Sequence, residues 1–249
     1  MKKPAYQQIC DSLLEQMEDG LFQPDSKLPS ERALSRQLGV SRMTVRQALN
    51  ALVQQGLAYR IQGSGTYVAE PKIEHHVDTL TSFSVSMSAL GLTPTTKLLS
   101  IEKIRANKKL AEILGINVGQ MIWHIHRLRI DRDIPIGLEY SYFPLHLVPD
   151  LDQHDLERRS IYEILETEYH LQIASATQSF EPVIANEYEQ RLLEIPVGSP
   201  LMMVSRVSYD EEKLPIEHGK DIYRGDKTRF VADSVRHVTK TNQIPALPA

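Results

Sequence analysis

Three groups of side chains have the types and spacing that recognition chemistry requires. Arg42 and Arg46 stand four residues apart in SRMTVRQAL, with Ser41 and Thr44 beside them and Lys27, Arg32 and Arg36 upstream. A guanidinium is a planar fork of donors that matches guanine O6 and N7 or a phosphate, and hydroxyls suit backbone phosphates, so this group points to nucleic acid. Arg127 and Arg129 lie two apart in HIHRLRID. In a strand they share one face, where they could clamp a phosphate or carboxylate, or pair with acids on a neighbouring strand. Glu139 and Glu217 follow the charged turns DRDIP and DEEKLP. They could accept bonds from sugar hydroxyls or, at a defined separation, act as paired catalytic carboxylates.

Other candidates for chemistry are weaker. His75 and His76 are adjacent and diverge on either regular element, and His124 and His126 have no third ligand at metal spacing, so no metal and no cofactor is expected. The single Cys10 cannot form an intrachain disulfide and falls in a helical apolar stripe, as a small buried hydrophobe would. There is no nucleophile elbow and no phosphate-cradling glycine loop, which argues against an enzyme. The alternative kept open is an enzyme acting on a phosphorylated sugar through Glu139 or Glu217.

Charge is distributed unevenly around these groups. The chain of 249 residues has a net charge of −4. Residues 27–66 hold six bases against Glu31 alone, for +5, whereas residues 71–249 hold 20 bases and 25 acids. A basic module is joined to an acidic one, and the length suits two cores. No apolar run approaches the roughly 18 residues a membrane span needs. MKKPAYQQICDSLLEQ passes from lysine straight into an amphipathic pattern, so the chain reads as cytoplasmic without a membrane partner.

The elements that must position the first group are helices. Apolar residues from Tyr6 to Met17 recur every three or four positions, and Gly20 supplies a stop. Ser30 can cap a second helix with Ala33, Leu34 and Leu38 inward, ended by Gly39. Ser41 can cap a third with Val45, Ala48, Leu49 and Leu52 inward. That leaves Arg42, Met43, Arg46, Gln47 and Asn50 outward, as on a recognition helix. LAYRIQGSGTYV then reads as strand, Gly-Ser-Gly tip and strand, with Gln62, Gly63, Ser64, Gly65 and Thr66 at the turn. A helix-turn-helix followed by a hairpin is a winged helix.

The second and third groups fall within an internal repeat. Residues 106–131, ANKKLAEILGINVGQMIWHIHRLRID, lie on 185–210, ANEYEQRLLEIPVGSPLMMVSRVSYD, at a constant offset of 79, which matches Arg127 with Arg206. Each copy reads helix, turn, long strand, charged turn, strand. This implies two related halves of one α+β sheet system with a cleft between them. Ser160 can cap the helix SIYEILETEY, whose N-terminus could join the two arginines around one phosphate. Residues 69–80, AEPKIEHHVDTL, read as a linker and TNQIPALPA (241–249) as a disordered tail.

LPSERALSRQLGVSRMTVRQAL and QGSGTYV resemble the DNA-binding domain of the GntR family of bacterial transcription regulators, over residues 4–68. The resemblance implies that Arg32, Arg42 and Arg46 contact DNA and that Gly63 and its neighbours lie in the minor groove. FSVSMSALGLTP, HRLRIDRDIPIGLEYSYFP, SIYEIL and LPIEHGKDIYRGDKTRF resemble the effector-binding UTRA domain of the HutC subgroup, over about 80–237. The implied fold is α+β with an antiparallel sheet, chorismate-lyase-like. Among members that bind phosphorylated amino sugars, the resemblance maps phosphate contacts onto Ser84, Arg127, Arg129, Ser160 and Tyr162, and sugar contacts onto Glu139, Glu217 and Tyr223. It also allows other anions, such as urocanate.

The expectation is therefore a winged helix-turn-helix at 1–68, a linker at 69–80, an effector-binding and dimerisation domain at 81–240, and a tail. Its partners would be palindromic double-stranded operator DNA, a small anionic effector, and a second copy in a homodimer. Its action would be repression of a carbohydrate or amino-sugar operon, relieved by the effector.

Overall fold

Serine caps and glycine turns divide the first 68 residues as their spacing predicts. The computed structural model describes residues 3–81 and 83–234, so the tail at 241–249 lies outside the described residues. Helix α1 is Ala5–Glu18, α2 is Glu31–Leu38 and α3 is Arg42–Gln54. Ser30 accepts from the Ala33 amide and Ser41 from the Thr44 amide, while Gly39 takes a left-handed φ of 65° between α2 and α3. Val45, Ala48, Leu49 and Leu52 are buried against Ile9, Cys10, Leu13 and Leu34, forming the core of this module. Full burial contributes roughly 1.5–3 kcal/mol for each large aliphatic side chain. Two inward assignments fail: Ala33 is exposed, and Leu38 is 42% exposed, because α2 is only two turns long and α3 covers it at Leu34.

Strands β1 (Ala58–Ile61) and β2 (Gly65–Val68) form the antiparallel wing. The segment before α2 lies along it: the Leu28 amide donates to the Thr66 carbonyl at 2.8 Å, and Val68 N donates to Ser26 O at 2.9 Å. Thr66, expected at the turn, is thereby buried.

The segment read as linker is partly ordered into strand β3 (Ile73–His76). There follow α4 (Phe83–Ala89), β4 (Thr95–Arg105), α5 (Lys108–Leu114), β5 (Met121–Asp131), β6 (Ile134–Pro144), α6 (Ile161–Glu168), β7 (Ser175–Ile184), α7 (Glu187–Leu193), β8 (Pro200–Tyr209), β9 (Pro215–Arg224) and β10 (Thr228–Val231). Strands β3 and β10 pair in parallel, from Ile73 with Thr228 to His76 with Val231, so the expected linker is stitched to the end of the second module. Alternation within a four-residue strand is too short to detect against mixed charge.

The repeat becomes one continuous sheet. Its six strands run β4-β5-β6-β9-β8-β7, with β6 and β9 pairing at the seam, so the two copies join edge to edge in a single sheet. Helix α7 lies 79 residues beyond α5, and both follow asparagine caps, Asn107 and Asn186. Where Gly115 ends α5 in a left-handed conformation, Glu194 ends α7 at φ 54°. DEEKLP is one residue longer than DRDIP, which shifts the correspondence to 80 beyond the turn and sets Gly219 against Glu139. Helix α6 packs with Trp123, Ile125 and Phe143 on one face of the sheet, while Leu128, Leu138, Leu193 and Ile222 cluster on the other.

Candidate functional site

The basic module presents a groove between the start of α2, the start of α3 and the wing. Arg32, Arg42, Gln62, Gly63, Ser64, Gly65 and Thr66 all line it, with Lys27 and Arg60. Ser41 Oγ lies 2.8 Å from Thr44 Oγ1 at the first turn of α3. Arg46, a turn further on, is not free: Nε and Nη2 donate to the two oxygens of Glu31 at 2.9 and 2.7 Å, and Arg60 lies 3.8 Å from the same carboxylate. The Arg46 bond holds the Glu31 carboxyl below its usual range. At Gly65, φ is 152° and an added Cβ would meet Lys27 Cε at 2.8 Å, so the wing approaches that lysine through bare backbone.

In the second module, strand register sets out the site. Arg127 is opposite Glu139, which is opposite Asp221; Arg129 is opposite Gly137, which is opposite Tyr223; and Arg206 is opposite Gly219. Because alternate residues share a face, all of these and Glu217 belong to the face under α6. Arg127 Nη2 is 2.8 Å from Glu139 Oε2, and Arg129 pairs with the same oxygen. The two arginines are held further by the Leu156 carbonyl at 3.2 Å and by Thr96 Oγ1 at 2.5 Å. Arg206 donates to Asp221 Oδ2 at 3.0 Å and reaches Glu217 at 3.4 Å. Glu217 also accepts from the Tyr162 hydroxyl at 3.0 Å and the Ser208 hydroxyl at 2.9 Å.

Burial and charge pull these acids apart. Burial pushes the Glu139 carboxyl up, but Arg127 and Arg129 outweigh it and hold it at about 2. At Asp221 burial dominates, Glu139 and Glu217 add to it, and the carboxyl is pushed up to about 7 against the pull of Arg206. Two interacting carboxyls whose ionisation is driven apart in this way can hold a proton between them near neutral pH.

The cavity over this face is roofed by His75, Phe83 and Phe230; the His75 ring stacks on Phe230 at 5.2 Å and lies 4.9 Å from Tyr223 of the sheet. Burial pushes the His75 imidazole down to about 4, so it is neutral. Seven of the eight expected effector residues line the cavity: Arg127, Arg129, Glu139, Ser160, Tyr162, Glu217 and Tyr223. Ser84 does not, and Phe83 and Ser86 from the same helix take its place. Ser160 stands at the N-cap position of α6, but its hydroxyl makes no capping bond, contrary to expectation. The free space is about 80 Å³, well below the few hundred Å³ usual for ligand pockets, because the ion pairs close the cavity on itself. Sequence reasoning missed Asp221, Arg206 and His75 as lining residues. The repeat carried a signal for one of them, since it lays Arg127 on Arg206.

On the opposite face His124 stacks on Tyr142 at 4.8 Å and His126 on Tyr140 at 4.1 Å. No group of three or more metal-ligating side chains occurs among the described residues. No helix among them is long and apolar enough to cross a membrane.

Comparison with known proteins agrees with both modules. Residues 5–68 match the family described as bacterial regulatory proteins, gntR family, and residues 89–229 match the UTRA domain. The chain is 40% identical to the HTH-type transcriptional repressor NagR of Bacillus subtilis (strain 168), over 92% of this chain and 93% of that one. It is 35% identical to the mannosyl-D-glycerate transport/metabolism system repressor MngR of Escherichia coli (strain K12), over 92% and 95%. The crystal structure of PhnF from Mycobacterium smegmatis superposes with a TM-score of 0.67 at 30% identity, covering 92% of this chain and 99% of that one.

Proposed function

The chain belongs to the GntR family of bacterial transcription regulators, in the HutC subgroup that carries a UTRA domain, and from that premise we propose that it is a homodimeric repressor of an operon for uptake or breakdown of a carbohydrate or amino sugar, relieved by a phosphorylated sugar. Members of this family bind operator DNA and answer to small-molecule effectors, and the enzyme alternative lapses with that membership. NagR and MngR, both repressors by name and the second of a sugar-derivative system, support the class of operon.

The observation that carries the effector reading is the pair Arg127 and Arg129, buried on one face beneath the start of α6. Two guanidiniums beside a helix N-terminus suit a doubly charged oxyanion that displaces Glu139 from them. Arg32, Arg42 and Arg46, with Ser41 and Thr44, supply operator contacts from α2 and α3, and Gln62 to Thr66 supply the wing. A dimer allows two such modules to read two half-sites of a palindrome. For the ligand to relieve repression it must bind two arrangements of the dimer unequally. Strand β3 leads from the wing into the roof of the cavity and is the element placed to couple them.

Fluorescence anisotropy on the DNA upstream of the protein's own gene, at two salt concentrations and with a panel of phosphosugars and small carboxylates, tests this reading. Salt-sensitive binding abolished by one phosphosugar is expected. Release by a carboxylate alone would transfer the effector to the other anion class, and DNA binding that no member of the panel disturbs would remove the phosphosugar.

A further inference from the structure

The cavity floor contains three cations, Arg127, Arg129 and Arg206, and three acids, Glu139, Glu217 and Asp221, with side chains at most 14% exposed. The acids are not equally engaged. Glu217 accepts from Tyr162, Ser208 and Arg206. Glu139 Oε2 likewise has no partner of hydrogen-bond geometry, but two arginines stand against it as ion pairs. Asp221 receives Arg206 on Oδ2 only, and its Oδ1 has no hydrogen-bond partner although the residue is 3% exposed and faces the cavity. An orphaned, buried carboxylate oxygen is costly unless something comes to it.

An anion reaching both Arg127 and Arg129 must take the place that Glu139 holds, because only about 80 Å³ is free. Glu139 then loses its cations while standing directly across the strand pair from Asp221. Two carboxylates at that spacing, out of water, do not both remain ionised. We propose that Asp221 is a further residue of the effector site, whose free oxygen takes a positive charge, a proton or a cationic group of the ligand, that offsets part of the negative charge an anion brings to Arg127 and Arg129. The groups facing it are Arg206 from β8, Glu139 from β6, Arg129 from β5, Glu217 and Tyr223 from its own strand and, across the cavity, Tyr162 from α6 and His75 from β3. None of them is a spare cation. The inference rests on the reading of this cavity as the effector site.

Titration calorimetry of the full chain at pH 8, where a sugar phosphate is dianionic, tests it in buffers of different ionisation enthalpy. Glucose 6-phosphate brings no cation, so its binding takes up about one proton from the buffer, and its affinity falls by up to about tenfold per pH unit above pH 7. Glucosamine 6-phosphate brings an amine that is in part already ammonium at pH 8, and binds more tightly with less uptake. Asp221→Asn abolishes the uptake, flattens the pH dependence and brings the two affinities within about twofold of one another. Uptake in the variant equal to wild type overturns the assignment. Should the variant not fold, equal uptake and equal affinity for the two probes in wild type overturn it as well. If neither probe nor inorganic phosphate binds wild type, the effector-site reading fails and Asp221's part in it falls too, an outcome distinct from binding without proton uptake.

Discussion

Arg46 on α3 donates through Nε and Nη2 to both carboxylate oxygens of Glu31 on α2, at 2.9 and 2.7 Å. Glu31, the single acid among residues 27–66, therefore fixes one of the arginines of that stretch. With Arg60 of β1 3.8 Å from the same carboxylate, Glu31 links the two helices and the wing through one group. A bidentate pair sets the direction of a guanidinium, and direction is what base readout needs.

Arg46→Ala is expected to weaken operator binding and to reduce the slope of log affinity against log salt by about 1, while effector affinity changes by less than about twofold. Anisotropy across a salt series measures this. An unchanged slope would remove Arg46 from the DNA interface.

Glu31→Gln should act in the opposite sense on non-specific binding. Removing a negative charge beside the phosphates tightens binding to random-sequence DNA, while Arg46 loses its guide, so the ratio of operator to random affinity falls. A ratio equal to wild type would leave Glu31 a purely structural residue.

Gly219→Ala tests the seam of the sheet. A Cβ at 219 would stand 2.8 Å from Arg206 Nη2 and 3.2 Å from its Cζ, displacing a guanidinium already pinned between Glu217 and Asp221. Effector affinity is expected to fall by tenfold or more, on the order of 1.4 kcal/mol, with operator binding retained. Calorimetry and anisotropy on one preparation separate the two.

Arg127→Ala should abolish the effector response and lower stability by about 3–5 kcal/mol, since it leaves a buried Glu139 short of a partner. Urea unfolding measures the loss. Because Glu139 ionises at about 2 in the fold, against 4.5 ordinarily, its contribution is present above pH 4.5 and is lost as pH falls towards 2. In Arg127→Ala that part of the acid limb should be shallower.

Two other groups give stability slopes of opposite sign. His126, stacked on Tyr140, is pushed down to about 4 by burial, then by the neighbouring His124. Its contribution is present above pH 6.5 and is lost as pH falls towards 4, so His126→Phe should lessen the drop in unfolding midpoint between pH 7.5 and 5. Asp221, raised from 3.8 to about 7, costs stability progressively as pH rises through that window. Asp221→Asn should therefore be more stable than wild type at pH 8 and gain nothing at pH 4. Parallel pH profiles for variant and parent would contradict either assignment.

Local chemistry made much of this protein legible in one dimension. Ser30 and Ser41 cap helices because their hydroxyls satisfy nearby amides. Gly39 turns between helices because it alone takes positive φ cheaply, and Arg127 and Arg129 share a face because strands alternate. The repeat likewise announced paired helices and hairpins. Each of these follows from contacts within a few residues or from self-similarity. What tertiary structure decided is who meets whom across the sheet. No local rule states that β6 lies beside β9, and that lateral order brings Glu139 to Asp221, while register sets Arg206 against Gly219 and the β3–β10 pairing carries His75 into the cavity roof. A one-residue slip would send these side chains to the other face, so the charge balance of the site belongs to non-local pairing and lies beyond the reach of spacing.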